Sequence, residues 1–137
     1  MIVKVKICGL TNLEDAQAAV DMGADLLGFN FYKGSPRYIE PAKAAEIINK
    51  MPAFFDTVGV FVNASFDEIK QLVADGTLNW VQLHGDETPE FCESLTTLAV
   101  RTIKAIRVTG PESMALAEKY AADAILFDSF NSEKYGG

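Results

Sequence analysis

Cysteine and histidine are scarce in this chain: Cys8, Cys92 and a single histidine, His84, among 137 residues. The two cysteines form no CxxC pair and no zinc spacing, and one histidine is too few for a histidine-built metal site. No apolar run reaches the roughly 18 residues of a membrane span, so no membrane partner is expected. The N-terminus goes straight into a strand pattern, without the charged and apolar regions of a secretory signal. A cytoplasmic, reducing setting is the expectation. Basic residues are also in deficit, 12 Lys and Arg against 19 Asp and Glu, for a formal charge of −7. Phosphate backbones are bound by basic faces, so a nucleic-acid partner is excluded on charge.

What the chain has is alternation. Short runs rich in Val, Ile and Phe begin near Val3, Asp25, Phe55, Asn79, Val100 and Asp123. Helical patterns lie between them, near 12–22, 41–50, 65–74, 87–97 and 112–120. Thr11 with Glu14, and Ser65 with Glu68, fit capping boxes, and Pro41 suits a first helical turn. Gly23 and Gly76 sit where helices stop. No linker or low-complexity stretch interrupts the pattern, so residues 1–137 are expected to form one domain.

Strict β–α alternation implies an α/β fold with a parallel sheet and right-handed crossovers. Strand faces favour a closed barrel over a doubly wound open sheet. In "VKVKIC" Lys4, Lys6 and Cys8 share one face, and in "NWVQLHG" Gln82 and His84 do. A strand covered by helices on both sides is apolar on both faces; here one face turns polar toward the strand's end. A flavodoxin-like arrangement of the same units stays open at this point. The repeat is about 24 residues, so the eight units of a standard barrel need about 192. The expectation is an incomplete (β/α)8 TIM barrel of about six βα units, the N-terminal portion lacking the last strands.

In such barrels chemistry sits at the C-terminal strand ends. Those ends hold Cys8, Asn30 with the loop "KGSPRYI", Asn63, His84, Arg107 and Asp128. Cys8 reads either as a small buried hydrophobe or as a thiolate favoured by a nearby helix start and by Lys6. Asp128 ends an apolar run, as an N-cap or as an acid. Arg37 is a solvated loop residue or a fork for a carboxylate. His84 is read as lining the site, and Cys92 as packed against the sheet. These residues point to acid–base chemistry on a small anionic substrate without naming the reaction.

The segments "KICGLT" at 6–11, "GFNFYKGSPRYI" at 28–39, "VGVFVN" at 58–63, "VQLHGDE" at 81–87 and "LFDS" at 126–129 resemble the phosphoribosylanthranilate isomerase family of tryptophan biosynthesis, in order and spacing. The resemblance implies a (β/α)8 barrel performing an Amadori rearrangement with no metal and no organic cofactor. It implies Cys8 as general base and Asp128 as general acid, with Arg37 holding the anthranilate carboxylate and His84 lining the site. It also implies a small phosphosugar–anthranilate substrate. "YGG" at 135–137 resembles the start of the family's glycine-rich loop after strand six, and strands seven and eight, with the loops that grip the substrate phosphate in such barrels, are expected to be missing. Low isomerase activity of the chain alone is therefore expected, as is self-association through open sheet edges.

Overall fold

The computed structural model describes residues 2–129. They form one six-stranded parallel sheet in which spatial order equals chain order. Its strands are β1 (Lys6–Cys8), β2 (Leu26–Asn30), β3 (Asp56–Phe61), β4 (Trp80–Leu83), β5 (Arg101–Val108) and β6 (Ala124–Ser129). The connecting helices are α1 (Leu13–Asp21), α2 (Pro41–Lys50), α3 (Phe66–Val73), α4 (Pro89–Ser94) and α5 (Glu112–Ala117). A 3₁₀ turn, Leu95–Thr97, extends α4. Sequential order excludes the flavodoxin-like arrangement, in which the first strand lies inside the sheet. The "YGG" segment lies outside the described residues.

The sheet is curled into part of a barrel, and side-chain contacts show how strongly. β1 and β4 are three strands apart, about 14 Å in a flat sheet. Yet the Lys6 ammonium donates a hydrogen bond to Gln82 Oε1 across the concave face. Helices cover the other, convex face. Leu27, Phe29, Phe61, Val81 and Leu83 project there and are fully buried with Ile69 of α3 and Leu95. Each such side chain contributes roughly 1.5–3 kcal/mol on burial. Phe31 and Phe61 meet at 5.5 Å between ring centroids, tilted by 56°.

Local chemistry sets the element ends. Pro41 occupies the first turn of α2, and Ser65 caps α3 by accepting from Glu68 N at 3.2 Å. Gly23 and Gly76 have φ of 93° and 75°, a region open to glycine, immediately beyond α1 and shortly after α3. Two expectations need correction. The cap of α1 is Asn12, whose Oδ1 accepts from Asp15 N at 2.8 Å, not Thr11 with Glu14. An amide oxygen one residue on has the same reach, and it wins here. The first strand is also shorter than "VKVKIC" suggests. It starts at Lys6, because β1 has a strand neighbour on one side only among the described residues. Before it, Asp25 accepts from Lys4 Nζ at 2.7 Å and Val5 N at 2.8 Å, and these bonds hold its carboxyl below the usual range.

Candidate active site

The concave face is polar at the C-terminal ends of the strands because alternation brings one class of residue inward. Register aligns Arg107 of β5 with Asp128 of β6 on that face, while Cys8 ends β1 on the same face as Lys6. Cys8 and Asp128, 120 positions apart in sequence, thus end inward-facing strands at one rim.

Cys8 is half-buried and lies beside two glycines that make room for it and its neighbour. A Cβ on Gly28 of β2 falls 2.8 Å from the Cys8 sulfur. Gly9 has φ of 86°, and a Cβ there falls 2.6 Å from Arg37 Cδ. The Arg37 side chain therefore lies over the Gly9 backbone, with Nη1 donating to Cys8 O at 3.4 Å. The loop carrying Arg37 is shaped by a turn in which Ser35 Oγ accepts from Arg37 N at 3.1 Å. The Lys6 ammonium, expected to assist the thiol, is directed to Gln82. The start of α1 is engaged by its own Asn12 cap and begins at Leu13.

His84 and Asp128 meet directly. His84 Nε2 lies 2.9 Å from Asp128 Oδ2, and its Nδ1 lies 2.7 Å from Gln82 Nε2. His84 N donates to Phe61 O at 2.8 Å, which ties the end of β4 to β3. Asp128 Oδ1 accepts from Ser129 N at 2.9 Å. The sequence places His84 as lining; the structure adds that it is a partner of Asp128.

The other strand-end residues do structural work. Asn30 Oδ1 accepts from Tyr32 N at 2.9 Å and turns the chain after β2. Asn63 has φ of 52°, which asparagine tolerates better than most residues, and its Oδ1 accepts from Asp86 N at 2.8 Å. Arg107 pairs with Asp86. Cys92 is buried as expected, its thiol 3.5 Å from Ala121 O, and burial pushes that thiol up against the opposing pull of a Thr102 hydrogen bond and the Lys104 ammonium.

Sequence reasoning missed a buried ion pair beneath the rim. Lys104 Nζ lies 2.8 Å from both Glu87 Oε2 and Gly85 O. Glu87 in turn accepts from Asn63 N at 2.8 Å and Gly85 N at 2.9 Å. The signal was a lysine in the middle of "RTIKAIRV", where an unpaired cation is too costly to bury. At the opposite end of the strands, a cavity of about 630 Å³ is lined by Lys4, Lys6, Asp56, Trp80, Arg101 and Ile103 among others. Among the described residues no cluster of three or more His, Cys, Asp or Glu is placed to hold a metal, and no helix is long and apolar enough to cross a membrane.

Comparison with known proteins matches the chain and its fold to one family. The family described as N-(5'phosphoribosyl)anthranilate (PRA) isomerase matches residues 5–137. The N-(5'-phosphoribosyl)anthranilate isomerase of Geobacter sp. (strain M21) is 46% identical over 136 residues, covering 99% of this chain and 65% of the relative. The crystal structure of phosphoribosyl anthranilate isomerase from Thermotoga maritima superposes with a TM-score of 0.91 at 43% identity, over 99% of this chain and 66% of that one. A further structure of the isomerase, in complex with reduced 1-(o-carboxyphenylamino)-1-deoxyribulose 5-phosphate, gives a TM-score of 0.88 at 44% identity, over 95% of this chain and 66% of that one. The chain thus spans just under two thirds of the length of these relatives.

Proposed function

The chain belongs to the N-(5'-phosphoribosyl)anthranilate isomerase family, and from that premise we propose that its rim carries the acid, the base and the carboxylate clamp of that isomerisation. Residues 1–137 act in this reading as one domain, the first six units of an eight-unit barrel. Asp128 gives a proton to the furanose ring oxygen as the bond from C1′ to that oxygen breaks. The anthranilate nitrogen lone pair forms the C1′=N iminium. The Cys8 thiolate then removes the C2′ proton, and the freed electron pair gives the enolamine. The enol loses its hydroxyl proton as C1′ gains one, leaving the ketone. Atoms and electrons balance without an external oxidant or reductant, and the steps use no metal or organic cofactor. Arg37 pairs with the anthranilate carboxylate through its guanidinium fork. His84 lines the site and supports Asp128. Such thiol chemistry suits a reducing, cytoplasmic setting.

The observation that carries this proposal is the direct His84–Asp128 contact of 2.9 Å, at the same rim where Arg37 lies over Cys8 and Gly9. A positioned acid and base typically contribute 10²–10⁴-fold each. Remote phosphate binding orients the reacting carbon, and none of the described residues is assigned to that role. The test follows the fluorescence of phosphoribosylanthranilate in the 137-residue chain beside Cys8→Ala and Asp128→Ala. The expected result is turnover that either substitution lowers by about 10²-fold or more. Turnover unchanged in both variants overturns the assignment.

A second reading, assembly, is favoured by apolar residues at the sheet's margins. Ile7 on the convex side of β1 is 40% exposed, and Met22 beside it is 89% exposed. Val5, Ile7, Leu10, Ala19 and Met22 line a groove of about 370 Å³ there. β6 of one copy pairing with β1 of another continues the parallel sheet and covers this groove. Sedimentation velocity across a hundredfold concentration range tests it: a mass that grows with concentration supports assembly, and a constant monomer mass excludes it.

A further inference from the structure

We propose that Lys6 and Gln82 form a positioning relay that holds His84 in its Nε2–H form and aims that N–H at Asp128; the inference rests on the reading of Asp128 as the acid. Four side chains, from β1, β4, the position just past β4, and β6, connect in succession on the concave face: Lys6 Nζ to Gln82 Oε1, Gln82 Nε2 to His84 Nδ1, and His84 Nε2 to Asp128 Oδ2.

Donor and acceptor chemistry allows this line only one polarity. An ammonium has three donors and no acceptor, so the Gln82 atom facing Lys6 must be the carbonyl oxygen. The amide NH₂ is then the atom facing His84, and it can only donate. His84 Nδ1 must accept, which leaves the single proton of a neutral imidazole on Nε2. Nε2 faces Asp128 Oδ2, an acceptor whether the carboxyl is ionised or carries its proton on the other oxygen. Every contact is satisfied in this sense, and reversing any one sets donor against donor at Gln82 or, with the amide flipped, at Lys6. Gln82 is 1% exposed, so no solvent path lets the amide escape that choice.

The consequence lies at Asp128. When it has given up a proton it becomes a carboxylate, and the N–H already aimed at it stabilises that charge with no reorganisation. Lys6 and Gln82 act through His84 and touch no reacting atom in this account. They are positioning residues, and Lys6 in particular does this in place of assisting the Cys8 thiol.

The test is a two-bond ¹H–¹⁵N correlation spectrum of the ¹⁵N-labelled 137-residue chain, recorded at mildly alkaline pH. His84 is the one histidine, so each ring nitrogen gives a single signal. The expected spectrum has an unprotonated Nδ1 and a protonated Nε2. In Lys6→Met the tautomer ratio shifts about fivefold toward Nδ1–H, the size of one net hydrogen bond. Lys6→Arg, which keeps a donor-only cation, retains the wild-type ratio. An Nδ1–H imidazole in the wild type overturns the relay, and so does an unchanged ratio in a folded Lys6→Met chain. If Lys6→Met does not fold, the scalar coupling across the Gln82 Nε2–H···Nδ1 bond in the wild type decides: its presence supports the relay and its absence overturns it. The readout needs no turnover. Turnover that survives Asp128→Ala removes the acid assignment and leaves the tautomer result standing, whereas an Nδ1–H imidazole in a chain whose turnover needs Asp128 removes the relay alone.

Discussion

Two polar networks lie on opposite faces of the same sheet, and they are built differently. On the convex side Lys104 and Glu87 form a closed pair, with side chains 2% and 3% exposed. Two backbone amides donate to the carboxylate, a carbonyl takes another ammonium proton, and the Tyr120 ring sits 5.5 Å from Lys104 Nζ. On the concave side Lys6, Gln82, His84 and Asp128 form an open line that ends in a carboxyl at the rim. The first network makes its hydrogen bonds to its own loops, fixing the 84–88 turn that carries His84. The second ends at a group able to exchange a proton. Buried charge serves shape on the convex face, and on the concave face the line ends at the carboxyl proposed as the acid.

Breaking the closed pair has the largest expected effect on stability. Lys104→Met leaves Glu87 buried without its cation, at a cost of about 3–5 kcal/mol, read as a lowered urea midpoint. Asp128→Asn, at the partly exposed end of the open line, costs about 1 kcal/mol or less. Equal losses in the two variants break the comparison.

Alkaline pH sharpens it next. Cys92 packs beside the closed pair, and burial raises its thiol pKa. The unfolded thiol ionises near 8.5, below the folded one. The stabilising contribution is therefore complete below about pH 8.5 and is lost as pH rises toward the folded value. Tyr120 is raised as well, chiefly by burial and then by Glu87, so loss continues above about pH 10. Denaturation midpoints should fall through this range, and Cys92→Ala should flatten the first part of the fall. A similarly small effect is expected for Tyr120→Phe. It removes the hydroxyl that donates to Glu87 O at 3.0 Å and costs about 1 kcal/mol by the same denaturation measurement.

Much of this arrangement is legible in the sequence, because alternation of apolar runs and helical periods is a local signal. Five of the six strands begin within one residue of the expected positions, from Leu26 to Ala124. The exception, β1, depends on neighbours that no local pattern reveals. The site was partly legible for the same reason. Residues at strand ends announce themselves as candidates, as Cys8, His84 and Asp128 do, and so does the loop residue Arg37, but their pairings do not. Nothing near Lys104 says that its partner is Glu87, and Gln82 reads as a face residue until curvature brings Lys6 to it. The misplaced cap shows the limit at shortest range: Thr11 and Asn12 are both good caps, and backbone geometry chooses between them.

The most direct measurement of the central claim uses the chain's one histidine and one tryptophan, which stand at opposite ends of the sheet. His84 marks the rim and Trp80, whose Nε1 donates to Asp56 at 2.9 Å, marks the cavity at the base. Titration of the ¹⁵N-labelled chain with reduced 1-(o-carboxyphenylamino)-1-deoxyribulose 5-phosphate is predicted to move the His84 imidazole signals and leave the Trp80 indole signal in place. Movement at Trp80 alone, or at neither, contradicts the assignment of the rim as the active site.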